Sequence, residues 1–293
     1  MPFSRLQRSH IHATVVPQVN APERSQQPPL AGATTKKNQY ATTWKRVQVP
    51  LQTKLVLNIC NDAISIVTEL LSYRAANQQW NRARHGIEPE IRVITAEAVD
   101  GRDASHPMRL AGAALHVKAG NCAAQAALLY LVLREMLGPD FLIGVAFSKD
   151  LKHEIVTVRN QSGSVEVVVD SWPKNAQAMA WGDHFAHLAT DLQLRFEKRG
   201  LAGCIEPGSK LKKAYGKYCA STIEATLQNL RKHAVQLNLQ NLPESDFDVQ
   251  WCAKHLGGIE YFAEEETAAP LQSDLPEGPA PERDADGDVV MRG

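Results

Sequence analysis

The chain has 293 residues, a hydrophobic share of 44%, and 32 basic residues against 32 acidic ones. This hydrophobic share is ordinary for a soluble protein with a core, and the length allows one large domain or two small ones. Zero net charge argues against a nucleic-acid binder that works through overall charge. No apolar run is long enough to span a bilayer, so neither nucleic acid nor membrane is an expected partner.

Both ends of the chain have the composition of disordered segments. Residues 1–39 are rich in Ser, Gln, Pro, Arg and Thr and show no helical or strand period. Residues 264–293 combine acidic runs with several prolines. Such segments bury too little apolar surface to offset chain entropy. We therefore expect one folded domain at 40–263, between a disordered N-terminal arm and a disordered acidic C-terminal tail.

The first part of this domain is predicted to be mainly helical. Residues 51–84 place apolar side chains at helical spacing, namely Leu55, Ile59, Ala63, Ile66 and Leu70. Residues 90–95 alternate like a short strand, and residues 108–112 form a candidate short helix. These elements lead towards the segment around which the domain is organised.

That segment is a predicted central helix within residues 120–139. It starts at the loop-forming sequence Gly120-Asn121-Cys122 and stops at Gly138-Pro139. Its residues are apolar on nearly every face, so other elements are expected to cover it. Cys122 lies at its N-terminal end, where unpaired backbone N–H groups and the helix dipole favour a thiolate. The alternative is a small buried hydrophobe, a common state for a free cysteine.

Three strands are predicted after the helix, at residues 141–147, 153–159 and 164–170. The turn-forming residues 160–163 join the last two strands into an antiparallel hairpin. One face of this hairpin is expected to pack on the central helix through its valines, Val156, Val158, Val165, Val167 and Val169.

The hairpin carries two polar residues suited to catalysis. A turn centred between Gln161 and Ser162 would place His153 directly opposite Asp170, with Cβ atoms about 5 Å apart. An aspartate held against a histidine fixes its tautomer and stabilises the imidazolium. With Cys122 as nucleophile, the three residues make a nucleophile, a base and an orienting carboxylate.

Residues 210–239 form the longest predicted helix of the second half. One side carries the apolar face, Tyr215, Cys219, Ile223, Leu227 and Leu230. The basic cluster at its start is interpreted as a solvated helix face, and it consists of Lys210, Lys212, Lys213 and Lys217.

The other cysteines are Cys60, Cys204, Cys219 and Cys252, and they form no CxxC pair or disulfide framework. A reducing compartment is the natural inference. A metal site built from Cys122, His153 and Cys204 lacks ligand spacing, so we expect no metal and no cofactor. We expect Cys122 to be the only strongly reactive thiol, with Cys60, Cys219 and Cys252 inert in helices.

The order of these features resembles the core of transglutaminase-like cysteine enzymes, within the wider papain-like group. The residues that carry the resemblance lie between Gly120 and Trp172. They are the Gly120-Asn121-Cys122 helix start, a strand led by His153, and a valine-rich strand that ends at Asp170. The resemblance implies an α+β fold in which the cysteine helix packs on an antiparallel sheet, with extra helices before and after.

By matching position, the resemblance makes Cys122 the nucleophile, His153 the base and Asp170 the orienting residue. His116 lies six residues before the cysteine, where papain-like enzymes often carry a glutamine in the oxyanion hole. Asn121 is the other oxyanion candidate, although it also suits a helix cap. The chain departs from the family pattern in the residues that follow the histidine and the aspartate.

The leading functional hypothesis is a cysteine hydrolase that attacks an amide of a protein: a protease, a glutamine deamidase or an acyl transferase. The alternative is a non-catalytic adaptor with the same fold. Compact Cys-His-Asp enzymes of this kind occur among bacterial type III effectors, which enter host cells without a cleaved signal peptide. The Ser-rich segment 1–39 resembles their export segments, so we expect either delivery into a host cell or a cytoplasmic protein.

Overall fold

The structure is a computed structural model that describes residues 45–76, 78–100, 106–162, 166–234 and 258–264. The predicted arm at 1–39, the predicted tail beyond Glu264, and Cys252 lie outside these residues.

Within the described residues there are seven α-helices and seven β-strands. The helices are α1 (Leu51–Leu70), α2 (Gln79–His85), α3 (Glu88–Asp100), α4 (Pro107–Val117), α5 (Cys122–Met136), α6 (Ser209–Tyr215) and α7 (Ala220–His233). The strands are β1 (Lys45–Val49), β2 (Phe141–Ser148), β3 (His153–Asn160), β4 (Glu166–Val169), β5 (Met179–Ala180), β6 (Gln193–Arg199) and β7 (Ile259–Ala263).

Helix α5 and a five-stranded sheet form the centre of the fold. The sheet is antiparallel, with strand order β5-β4-β3-β2-β6. Helix α5 packs on β2 and β3, and α1 and α4 also contact it. Every residue of α5 from Ala124 to Leu133 is therefore buried, as the all-round apolar sequence predicted. The predicted α+β class, with the cysteine helix against an antiparallel sheet, is confirmed.

The valines of the hairpin belong to the same hydrophobic core as α5. Val156, Val158, Val167 and Val169 are fully buried there with Leu128. In β3 and β4 they alternate with residues of the opposite face, as the period of a strand requires. Burial in the core that contains α5 is thus confirmed for these four residues, and Ile155 and Val168 of the opposite face belong to the same core.

A second, two-stranded sheet joins distant parts of the chain. Strand β1 pairs in parallel with β7, so Lys45 lies opposite Ile259 and Val49 opposite Ala263. Tyr261, at the middle of β7, is buried, and its hydroxyl donates to Asp183 at 3.0 Å. This pairing packs the last described strand against α1, which directly follows β1.

The strand predicted at 90–95 is wrong, because these residues lie within α3. Pro89 stands in its first turn, and the Arg92 side chain pairs with Glu88 four residues earlier, at 2.7 Å. Burial of Ile91, Ile94 and Thr95 follows a helical period of three and four residues. The alternation read in the sequence covers too few residues to outweigh these helix signals.

The long helix predicted at 51–84 is broken after Leu70. Arg74 has a positive φ of 45° and forms an isolated bridge with Ala119. The Tyr73 N–H donates to the Lys118 carbonyl at 2.9 Å. Backbone pairing with the segment before α5 therefore replaces the helical hydrogen bonds here.

The predicted apolar face of α1 is also rotated from the real one. Leu55 is 54% exposed and Ile66 is 36% exposed. The side chains that face the core are Val56, Leu57, Cys60, Ala63, Ile64 and Val67.

The helix predicted at 210–239 is divided into α6 and α7. Helix α6 ends at Tyr215, Gly216 follows it, and α7 begins at Ala220. Tyr218, in the connection, hydrogen-bonds Asp100 of α3 through its hydroxyl. Residues beyond 234 in that prediction lie outside the described residues.

Candidate active site

Cys122 is the first residue of α5, at the boundary predicted from the sequence. The Asn121 side chain caps this helix by accepting from the Ala124 N–H at 3.0 Å. Among the described residues, the N–H groups of Cys122 and Ala123 have no backbone or side-chain acceptor. The cysteine is half-buried. It therefore lies next to two available donors at the positive end of a helix.

His153 and Asp170 form a buried hydrogen-bonded pair. His153 Nε2 lies 2.7 Å from Asp170 Oδ2, and the two side chains are 3% and 4% exposed. A hydrogen bond of this length between ionisable groups is charge-assisted when the ring is protonated. The structure thus joins the two residues that the sequence analysis paired.

The predicted register of the hairpin is nevertheless wrong by two residues. Val156 lies opposite Val169, so the two strands are separated by the five residues 161–165 rather than by a shorter turn. This shift makes Asp170 a diagonal neighbour of His153 instead of its direct partner. Because side chains alternate with a period of two, a shift of two residues keeps both on the same face.

Cys122 completes the group, since it lies close enough to His153 to contribute to the raised pKa of the ring. Since Nε2 of the ring is engaged with Asp170, Nδ1 is the nitrogen that remains for the cysteine. The nucleophile, base and carboxylate of the sequence analysis are thus linked in the order Cys122, His153, Asp170.

His153 and Asp170 each shift the pKa of the other towards its charged form. Burial alone would lower the pKa of His153, but the Asp170 carboxylate, their hydrogen bond and Cys122 raise the pKa well above the usual range. Burial would raise the pKa of Asp170, but the His153 charge and hydrogen bond lower it overall, with contributions from His184 and the Trp172 N–H. Both shifts favour an imidazolium beside a carboxylate.

Aromatic rings cover the pair. Trp172 is 3% exposed and meets the His153 ring edge-on, with the ring centroids 5.5 Å apart. Phe185 approaches the same ring from another direction, at 6.2 Å. Rings in these positions keep water from competing for the hydrogen bond between His153 and Asp170.

The segment after the aspartate is held by two residues that the sequence analysis did not single out. Arg74 Nη2 donates to the carbonyls of Ser171, at 2.8 Å, and Pro173, at 3.1 Å. The buried Gln78 side chain donates to the Trp172 carbonyl. Both come from the connection that follows α1, far away in sequence, so no local pattern could have indicated them.

Gln125 ties this segment to the cysteine helix. Its Nε2 donates to the Gly120 carbonyl at 3.0 Å, and its Oε1 accepts from the Ser171 hydroxyl at 3.1 Å. The residue is 2% exposed. The available sequence signal was a polar residue three positions after Cys122, in the buried apolar part of the helix, because buried polar groups need partners.

The two oxyanion candidates have other partners. The His116 ring stacks on Tyr215 with centroids 3.7 Å apart, and its Nε2 lies 2.9 Å from the Tyr215 carbonyl oxygen. Asn121 caps α5 and donates from Nδ2 to Glu97 at 3.1 Å. Both side chains are therefore engaged, whereas the N–H groups of Cys122 and Ala123 have no acceptor among the described residues.

The expected position of Cys219 inside a helix is wrong. Cys60 is fully buried, and burial raises its pKa. Cys219, however, is exposed and stands before the first turn of α7. Its sulfur lies 3.0 Å from the Ser221 hydroxyl, and this contact with the start of α7 lowers its pKa to about 7. Cys219 is therefore a candidate for a second reactive thiol, because it stands at the N-cap position of a helix instead of lying inside one.

No protein-family model matches this chain, and a search of curated proteins finds no match. No helix in the described ranges combines the length and apolarity needed to cross a bilayer. The same residues contain no group of three His, Cys, Asp or Glu side chains that could hold a metal ion.

Proposed function

We propose that the protein is a cysteine enzyme that attacks an amide of a protein substrate through Cys122, His153 and Asp170. The observation that carries this proposal is the buried 2.7 Å pair of His153 and Asp170, in contact with a cysteine at a helix N-terminus. The raised pKa of His153 favours an imidazolium beside the sulfur at neutral pH. That charge is the partner a thiolate nucleophile needs.

In the first half of the reaction, the Cys122 sulfur attacks the amide carbonyl carbon and a C–S bond forms. The carbonyl oxygen becomes an oxyanion that accepts from the N–H groups of Cys122 and Ala123. His153 gives its Nδ1 proton to the amide nitrogen as the C–N bond breaks, and the amine or ammonia leaves. A thioester acyl-enzyme remains, with His153 neutral and still held by Asp170.

In the second half, His153 takes a proton from an incoming water or amine as that group attacks the thioester. The C–S bond breaks, and the Cys122 thiolate and the imidazolium are restored. Water acting on a peptide acyl group makes the enzyme a protease, and water acting on a glutamine acyl group makes it a deamidase. An amine acceptor makes it an acyl transferase.

The arrangement of α5 against an antiparallel sheet, with the histidine at the start of β3 and the aspartate just after β4, supports a papain-like or transglutaminase-like fold. The composition of residues 1–39 supports delivery of the protein into a host cell as a type III effector, with host proteins as substrates. A cytoplasmic enzyme of the producing cell is the other setting.

The test compares three forms of the full chain in eukaryotic cell extract: the wild type, Cys122→Ala, and Cys219→Ala as the matched thiol control. Mass spectrometry of the extract would detect new peptide ends, Gln-to-Glu changes or new amide cross-links. We expect products with the wild type and Cys219→Ala but none with Cys122→Ala. Equal products from Cys122→Ala, or none from the wild type, would reject the enzyme and favour the adaptor.

A further inference from the structure

A basic pocket lies away from the proposed active site. Its volume is about 640 Å³, within the usual range for small-molecule sites. Helix α5 contributes Tyr130, Leu131 and Arg134 to its wall, and the first turn of α4, strand β6 and helix α6 supply much of the rest. Tyr130 is eight residues after Cys122, which corresponds to about 12 Å along a helix axis.

The side chains that line the pocket include six cations and no carboxylate. The cations are Arg109, Arg134, Lys198, Lys210, Lys213 and Lys217. Arg109 is already paired with Asp100, at 2.9 Å. Within the part of the chain that the structure describes, the other five make no salt bridge. Three lysines of the cluster that the sequence suggested to be a solvated face, Lys210, Lys213 and Lys217, therefore line a concave site with cations from α5 and β6.

One of these cations, Arg134, is held in place. Arg134 Nε donates to the Arg199 carbonyl at 3.1 Å, and its guanidinium lies over the Tyr130 ring, 5.6 Å from the centroid. The Lys210 N–H donates to Glu135, so that carboxylate is engaged in capping α6. Cations fixed before a ligand arrives lose little entropy when it binds.

The first turn of α4 adds a weaker positive field. His106 caps this helix, and its Nδ1 accepts from the Met108 N–H at 3.2 Å. The next residue, Pro107, has no N–H, so the helix contributes its dipole rather than hydrogen-bond donors. The charged side chains must therefore bind the ligand, while Phe196 and Leu131 supply an apolar floor.

We propose that this pocket binds a small polyphosphate, such as a nucleoside triphosphate or an inositol polyphosphate. Five cations without carboxylate partners repel one another in a concave site, where the field is focused, and a compact ligand with several phosphates removes that repulsion. The bounded volume fits a small molecule better than a nucleic acid, which would need an extended basic surface. This inference does not depend on the proposed enzyme activity.

The experiment titrates the full chain with inositol hexakisphosphate, with ATP and with inorganic phosphate in 150 mM salt, using calorimetry and thermal melting. We expect saturable binding of one polyphosphate per chain, and a higher melting temperature with the ligand bound. The polyphosphate that binds more tightly shows whether the natural ligand is an inositol polyphosphate or a nucleoside triphosphate. Inorganic phosphate is expected to bind far more weakly, because it can engage only a few of the cations.

A matched pair of double variants locates the site. Lys210→Gln with Lys213→Gln removes two lining charges, whereas Lys212→Gln with Lys232→Gln removes two charges outside the pocket. We expect the first pair to weaken polyphosphate binding by at least about tenfold, and the second by no more than about twofold. Equal losses in both, no saturable binding to the wild type, or tighter binding of a 20-nucleotide single-stranded RNA would overturn the proposal.

Discussion

Replacing Asp170 with Asn removes the charge that faces His153 but keeps the side chain's shape. The Asn oxygen can still accept from the Trp172 N–H, which Asp170 Oδ1 does at 3.0 Å. A hydrogen bond to a charged group contributes about 1.5–3 kcal/mol, and a domain of this size loses about 2–4 °C of Tm per kcal/mol. We therefore expect the Asp170→Asn protein to fold, with a Tm lower by about 3–12 °C.

The same change should make Cys122 less reactive. Without the carboxylate, burial is the main influence left on His153, and burial lowers the pKa of the ring. The Asn amide can then donate to Nε2, which leaves the proton of a neutral ring on Nδ1, the nitrogen available to Cys122. We expect the rate of Cys122 alkylation by iodoacetamide at pH 6 to fall at least about tenfold, which corresponds to about 1.4 kcal/mol.

The difference in stability between the wild type and the Asp170→Asn protein should depend on pH. Asp170 has a lowered pKa, so its stabilisation is present above the unfolded value of about 4 and is lost as the pH falls. His153 has a raised pKa, so its stabilisation is complete below about 6.5 and is lost as the pH rises through the folded value. The Tm difference should therefore be largest between about pH 4 and 6.5.

Asp191→Asn is the control. The Asp191 carboxylate also accepts hydrogen bonds, from the Ser148 hydroxyl and from the Lys149 N–H, but it does so at the turn after β2. This variant should lose stability while Cys122 alkylation stays at the wild-type rate. If Asp170→Asn matches the wild type in both the rate and its pH profile, Asp170 does not control the charge of His153, and the reasoning fails.

Two further predictions concern the thiols and the limits of the domain. Brief iodoacetamide labelling at pH 7, followed by peptide mass spectrometry, should modify Cys122 and Cys219. Cys60 should stay unmodified, because it is buried and its pKa is raised. Labelling of Cys60 as fast as Cys219 would contradict this prediction. A chain of residues 40–264 should melt cooperatively at nearly the full-length temperature, since the removed segments have no core-facing pattern. A large fall in Tm would mean that a removed segment packs on the domain.

The sequence predicted the centre of the fold because the signals there are local and agree with one another. The limits of α5 follow from the cap at Asn121 and the stop at Gly138, and the buried valines follow from the period of a strand. The pairing of His153 with Asp170 was predicted on a register that is wrong by two residues. The two side chains still meet, because a register shift of two residues leaves each side chain on the same face of the sheet.

The errors lie where distant parts of the chain decide the local structure. Arg74 leaves the helical conformation because its neighbours pair with the backbone before α5, about 45 residues later in the chain. Gln78 Nε2 and Gln125 Oε1 acquire their partners only when the segment after Asp170 is in place. Composition and periodicity carry no information on such partners, so Arg74 and Gln78 could not be found from the sequence, and only the polar character of Gln125 within an apolar stretch gave a signal.

The pairing of β1 with β7 has a consequence for how the chain folds. The first and last described strands are neighbours although Lys45 and Ile259 are more than 200 positions apart in the chain. Closing so long a loop costs chain entropy, and the contacts within local elements do not offset that cost. This pairing should therefore form late in folding. A chain still attached to a ribosome, or one threaded unfolded through a pore, would keep the edge of β1 open until the residues around Tyr261 emerge. During that interval the open edge can pair with another chain, which makes the two-stranded sheet the place where misassembly would begin.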